Sequence, residues 1–187
     1  MTSASYTSVR PFIKQGDVIA FSGGGFVSRL IKFVTRSHVS HVGVVKFSDA
    51  ESGRIDLVES TTLSNDRLSG VRTRRLSEVV AAYKGSVVWL KLKADARRKF
   101  DAERFFNYVL SQEGRPYDYF QAIMSGLRIP TPELDAHQFC SELIAFAFQE
   151  AGILDKWVNA SETTPAELCR FPIYEAPVLL KGSEIKI

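Results

Sequence analysis

The stretch Val39-Ser40-His41-Val42-Gly43-Val44-Val45-Lys46-Phe47 decides how the chain folds. Four valines in nine residues suit a pleated, half-buried surface better than a helix, so residues 39–47 are predicted to be a strand. Ser48-Asp49-Ala50-Glu51-Ser52-Gly53 supplies turn chemistry, and Arg54 to Ser60 is predicted to return as the partner strand. In such a strand His41, Gly43 and Val45 share one face and Val42 and Val44 the other. If the hairpin closes through a five-residue loop, Ser48 to Ser52, His41 falls opposite Glu59. A carboxylate there can orient the imidazole, and a one-residue slip would send Glu59 to the wrong face.

Working outward, Gly16-Asp17 is a turn feeding a short strand, Val18 to Phe21. The Gly23-Gly24-Gly25 segment lacks the Lys-Ser/Thr of a phosphate loop and is expected to be a flexible loop. Phe26, Leu30, Ile31 and Val34 predict a helix over Val27 to Thr35. Val71 to Leu76 and Ser86 to Leu92 are further strands, with Arg72, Arg74 and Arg75 expected on a solvated face. A long amphipathic helix is predicted from Asp95 to Glu113, closed by Gly114. A turn at Arg115 to Asp118, a helix over Tyr119 to Leu127 and a loop over Ile129 to Glu133 follow. Strands first and helices later indicate a single α+β domain.

Cys140, Leu143, Ile144, Ala147, Phe148 and Ala151 repeat at i, i+3, i+4, i+7, i+8 and i+11. This predicts a helix over Phe139 to Ala151 with the Cys140 thiol in its first turn, facing the core. Unpaired amides and the positive helix end there favour a thiolate and would hold a developing oxyanion. The alternative is a cysteine used as a small buried hydrophobe. His38, His41 and His137 are the only histidines, so the search for a base is short. His38 sits on the opposite strand face from His41, and His137 belongs to the lead-in of the helix. No His/Cys spacing supplies a zinc site, and Cys169, after Thr164-Pro165-Ala166-Glu167-Leu168, reads as structural.

The 187 residues carry 24 Lys plus Arg against 21 Asp plus Glu, a net charge of +3, too small to argue for nucleic acid. With 45% apolar and 24% charged residues, the composition is that of a globular protein able to bury a core without staples. Two cysteines are no disulfide framework. The leading MTSASYTSVRPF has no apolar core of a signal peptide, and no apolar run is long enough to span a bilayer. The expectation is cytoplasmic synthesis without a transmembrane segment.

In chain order, Gly16-Asp17-Val18-Ile19, Ser40-His41-Val42-Gly43-Val44-Val45, Val58-Glu59, Arg115-Pro116-Tyr117-Asp118, Phe139-Cys140-Ser141-Glu142-Leu143-Ile144 and Thr164-Pro165-Ala166-Glu167-Leu168 resemble the permuted NlpC-type papain-like hydrolases of the YiiX branch. The motifs run from about residue 14 to 172. The resemblance implies a circularly permuted papain-like fold, an antiparallel sheet packed on helices, with Cys140 as nucleophile, His41 as base and Glu59 orienting the imidazole. Asp17, Ser40, Tyr117 and Phe139 are its candidates for lining the substrate site; Phe139 stands where relatives often carry Tyr. The implied activity is hydrolysis of an amide in peptidoglycan stem peptides through an acyl-enzyme, without metal or cofactor. Alternatives are a lipid acyl ester hydrolase or acyltransferase, and a binding module without chemistry on the same fold. A cell-wall substrate would require export as a type VI secretion effector, with an immunity or secretion partner, or release by phage lysis.

Overall fold

The computed structural model describes residues 1–24, 37–61, 70–114 and 132–187, with side chains described for all of these except 61 and 132–139. The helices expected over Val27 to Thr35 and Tyr119 to Leu127, and the turn at Arg115 to Asp118, lie outside the described residues. In chain order the elements are β1 (Thr2–Ser3), α1 (Tyr6–Val9), β2 (Val18–Gly23), β3 (His41–Asp49), β4 (Arg54–Thr61), β5 (Gly70–Arg75), α2 (Leu76–Ala82), β6 (Gly85–Leu90), α3 (Ala94–Lys99), α4 (Ala102–Gln112), α5 (Pro132–Glu150), α6 (Pro165–Cys169) and β7 (Val178–Lys181). The class is mixed α+β, built on one seven-stranded sheet of order β1-β7-β6-β2-β3-β4-β5. It is antiparallel except where β1 lies parallel to β7 at one edge. None of the described helices is long and apolar enough to cross a membrane.

Both faces of the sheet are covered, which is why β2 is apolar at successive positions rather than alternate ones. Val18, Ala20, Val42, Val44, Val58, Val88 and Leu90 join Phe105 and Val109 of α4 and Leu143, Ile144, Ala147 and Phe148 of α5 in one core. Ile19, Phe21, Val45, Leu57, Val87 and Trp89 join Leu76, Val79 and Val80 of α2 in the other. Each fully buried Leu, Ile or Phe of α5 adds roughly 1.5–3 kcal/mol through burial, so the stripe read from the sequence fixes that helix on the sheet.

Three boundaries differ from the sequence reading. The helix expected over Asp95 to Glu113 is two helices. Phe100 is extended, and Asp101 caps α4 by accepting the Arg104 N–H at 3.0 Å. The apolar period runs through the break, and the cap ends it. Leu76 opens α2 rather than ending β5. Helix α5 begins at Pro132, where a loop is expected; proline suits a first helical position because its missing N–H has no intrahelical partner there.

The β3–β4 register differs as well. The hairpin pairs Asp49 with Arg54, Ser48 with Ile55 and Phe47 with Asp56, then shifts across a bulge to pair Val45 with Leu57 and Val44 with Val58. Continued by one place, this sets Glu59 across from Gly43, two residues from the expected His41. The turn alone would have moved Glu59 by three residues and onto the other face; the extra residue of the bulge restores the parity.

Asp17 anchors the far end of the sheet. Its carboxylate is fully buried, accepts the Lys14 N–H at 2.9 Å, the Trp89 Nε1–H at 3.0 Å and the Leu92 N–H at 3.0 Å, and pairs with Arg97 of α3. Burial raises its pKa, while Arg97 and the three N–H donors pull against that rise. Gly16 before it has φ 84°, and a Cβ there would meet the Phe100 ring at 2.8 Å. Asp17→Ala leaves a buried guanidinium contact and three donors unanswered. It is expected to cost about 3–5 kcal/mol in urea unfolding, and a loss below about 1 kcal/mol would contradict this anchoring role.

Candidate active site

The first residue of β3, His41, pairs with Phe21 of β2. Its side chain is 12% exposed, and its ring packs on Phe21 at 5.4 Å between centroids, with Tyr83 a further 4.9 Å from Phe21. Ser40 locks the backbone just before it. Its N–H and Oγ–H both donate to the Phe21 carbonyl, at 2.9 and 3.2 Å, and its Oγ accepts the Gly23 N–H at 3.3 Å. The imidazole is thereby held between a fixed strand start and an aromatic pair.

Glu59, 5% exposed at its side chain, reaches His41 diagonally, Oε2 to Nε2 at 3.0 Å. Gly43 opposite Glu59 is closely hemmed in, since a Cβ would sit 3.0 Å from the Leu57 side chain and 3.1 Å from the Val58 carbonyl. From the other side, β5 brings two arginines. Arg72 pairs with Glu59 in the ladder, yet its Nη2 stays 3.9 Å from Oε1, whereas Arg74 donates from Nη1 to Oε1 at 3.1 Å. Each carboxylate oxygen therefore has a cationic partner.

Cys140 lies in α5, buried at 1% exposure among the apolar residues that pack on the sheet, and hydrogen-bonds the His41 ring. With Nε2 on Glu59, Nδ1 is the nitrogen left for the thiol. Neighbouring Ser141 is fully buried and donates to the Thr163 carbonyl at 2.5 Å, pinning this part of the helix. Cys140 stands eight residues after Pro132, in the third turn of α5 rather than the first. In a helix interior the amide is spent on the carbonyl four residues back, so the first-turn amides expected to hold an oxyanion are not at Cys140.

Burial works to neutralise His41, but the hydrogen bond and charge of Cys140, together with those of Glu59, raise its pKa to about 10. Burial pushes Glu59 the other way, towards protonation; His41 and Arg74 overcome this and hold its pKa at about 2. Cys169 of α6 is buried as well. Its burial, helped by the neighbouring charge of Cys140, pushes its thiol far above the usual range.

The structure thus brings Cys140, His41 and Glu59 into one chain of contacts. Two other expected site residues are corrected. Asp17 is sealed at the opposite end of β2 and braces the sheet, and the Ser40 hydroxyl is spent on the β2 backbone, so neither side chain has a surface to offer a substrate. Tyr117 and the Phe139 side chain lie outside the described residues, as does the side chain of His137. The arginines expected on a solvated face are paired: Arg72 and Arg74 with Glu59, and Arg75 with Asp56 at 3.7 Å. Strand alternation carries the signal, because Arg72 and Arg74 share a face two residues apart.

No family model matches the chain, and no curated protein matches it. Among solved structures it is similar to the crystal structure of the metalloprotein YiiX from Escherichia coli O157:H7, at 22% identity and a TM-score of 0.47. The match covers 74% of this chain and 66% of that one, so the chain spans just under two thirds of that protein's length. Among the described residues no three His, Cys, Asp or Glu side chains gather as metal ligands would.

The paired shifts set a pH window. The folded-state pKa of His41 lies above its ordinary 6.5, so the stabilisation it gives is complete below about 6.5 and fades as pH rises through about 10. Glu59 lies below its ordinary 4.5, so its share is complete above about 4.5 and fades as pH falls towards about 2. Glu59→Gln should therefore cost most stability between those two ordinary values and less at pH 9.5. NMR titration of the His41 ring should show its midpoint falling by at least about one unit in this variant. A midpoint near 6.5 in both proteins would break the proposed coupling.

Proposed function

We propose that the chain is a cysteine hydrolase on a permuted papain-like fold, with Cys140 as nucleophile, His41 as base and Glu59 as the group that orients and charges the imidazole. The observation that carries this reading is the continuous contact from the Cys140 thiol through His41 to Glu59. A carboxylate on Nε2 fixes the ring so that Nδ1 faces the thiol and stabilises the imidazolium formed when the thiol gives up its proton. Cys140 Sγ then adds to the carbonyl carbon of an amide. As the C–N bond breaks, His41 returns the proton to the leaving nitrogen, and a thioester remains. Water attacks that thioester while His41 takes its proton; the acid leaves and the thiol is restored.

The substrate class follows from the motifs shared in chain order with NlpC-type hydrolases: an amide in peptidoglycan stem peptides. Acting on that substrate, the protein would travel as an exported effector or be carried by a phage. A second reading, a binding module, draws on one observation, the burial of Cys140 within the core stripe of α5. A module of that kind has no need of a reactive thiol.

Alkylation by iodoacetamide from pH 5 to 9, followed by peptide mass mapping, separates the two readings, with Cys169 as internal control. Cys140 is expected to react near pH 6 and to slow at least about tenfold in His41→Ala, while Cys169 stays inert. If Cys140 is as inert as Cys169 across the range, the hydrolase reading fails and the binding module stands. On muropeptides, Cys140→Ala should lose about three or more orders of magnitude in turnover; cleavage of short-chain acyl esters in place of muropeptides would move the substrate class to lipids.

A further inference from the structure

At the far end of the sheet, the β3–β4 turn, the segment before β2 and the junction of α3 with α4 enclose a cleft of about 500 Å³. From His41, β3 runs roughly 20 Å at the usual strand rise before it reaches Ser48 on the rim, so the cleft is separate from the site above. Three cations line it. Arg97 spends its charge on the buried Asp17 and lies over the Phe100 ring at 5.8 Å. The side chains of Arg10 and Lys14 meet no carboxylate among the described residues. Asp49, the acidic residue of the lining, is taken up within its own turn, where its oxygens accept the Glu51 N–H at 3.1 Å, the Ser52 N–H at 3.3 Å and the Ser52 hydroxyl. The walls are held in place. Gly53, at φ 66°, lets the Arg10 guanidinium lie against the backbone, where a Cβ would sit 2.7 Å from Cζ. The Ile13 N–H donates to the Arg10 carbonyl at 3.3 Å, the Lys14 N–H donates to Asp17 at 2.9 Å, and the Gln15 carbonyl accepts from Arg97. The backbone that bears both uncompensated cations is therefore fixed before any ligand arrives.

We propose that this cleft binds a phosphate monoester carried on a small apolar or aromatic body. Two cations without a protein counter-charge match a phosphate monoester, which carries about 1.5 to 2 negative charges at pH 7, better than a carboxylate with one. Arg10 offers a planar fork to two phosphate oxygens, and Lys14 adds a mobile point charge. Pro11, Ile55 and Phe100 supply an apolar wall for the body of the ligand. The volume lies within the range of small-molecule sites, roughly 300–1,000 Å³. The cleft shares no lining residue with Cys140, His41 and Glu59, so the inference stands whether or not the thiol is catalytic.

The test is titration calorimetry on the full chain at physiological ionic strength, with phenyl phosphate, inorganic phosphate and benzoate as probes. Phenyl phosphate is expected to bind once per chain with a Kd below about 1 mM, and the other two at least roughly fivefold more weakly, one lacking the apolar body and the other the second charge. Arg10→Gln and Lys14→Gln should each raise the Kd for phenyl phosphate roughly fivefold or more. Lys14 is exposed, so its variant tests the site even where loss of Arg10 loosens the turn. Lys84→Gln removes an exposed cation at the opposite end of the sheet and should leave the Kd within about twofold of wild type. Absence of saturable phenyl phosphate binding, a Kd unchanged in either cleft variant, or an equal rise in Lys84→Gln overturns the site. Inorganic phosphate or benzoate binding as tightly as phenyl phosphate overturns the ligand class.

Discussion

A one-residue bulge in β3 decides whether His41 and Glu59 meet at all. The hairpin turn pairs Asp49 with Arg54, and a regular ladder from that point would set Glu59 opposite Val44, on the face that α5 covers. The irregularity between Val45 and Phe47 absorbs one residue and returns Glu59 to the face of His41. Lys46, the residue taken up, is held where it falls. Its Nζ donates to Glu113 at 2.7 Å and lies over the Phe106 ring at 5.6 Å, so α4 fixes the bulge that aligns the pair. A salt bridge on one side of the sheet thereby sets which carboxylate the imidazole meets on the other.

Two buried carboxylates then show the same chemistry put to different ends. Asp17 and Glu59 each meet an arginine, and each would be costly to bury alone. Asp17 has backbone and indole donors as its remaining partners, none of which titrates near neutral pH, so it serves as a fixed brace between β2, β6 and α3. Glu59 exchanges those donors for an imidazole, which can gain or lose a proton. The difference lies in position. Asp17 immediately precedes β2, beside the end of β6, whereas Glu59 lies near the end of β4, beside the start of β3 where His41 stands.

Much of this was legible in the sequence. The valine-rich strand, its returning partner and the apolar stripe of α5 follow from periodicity, and the Gly16-Asp17 turn from its residue types; all are present, with strand bounds shifted by one or two residues and the start of α5 by seven. The shared face of His41 and Glu59 was legible only by parity: the expected turn and the observed turn plus bulge differ by two residues, and an even difference preserves the face. No residue type in 41–49 announces a bulge. The start of α5 did have a signal, a proline followed by Glu133 and Asp135, which a loop reading centred on Pro130 and Pro132 passed over. The break between α3 and α4 had its signal in Asp101, outweighed by an apolar period that continues through it. Arg72 and Arg74 look solvated in isolation because their partner is 13 to 15 residues away, beyond any local pattern.

The two cysteines show why burial alone does not assign a thiol its role. Both are nearly inaccessible, and both sit in helices that share one core. Around Cys169 burial dominates, and ionisation is strongly opposed. Around Cys140 the sheet contributes an imidazole from the first position of β3, and that imidazole is backed by a carboxylate that two arginines attend. A helix stripe places a sulfur on a sheet; only the strand register decides what that sulfur touches. The surroundings of Cys140 therefore depend less on its own helix than on the pairing of β3 with β4 and of β4 with β5, which together assemble the imidazole, the carboxylate and the two arginines.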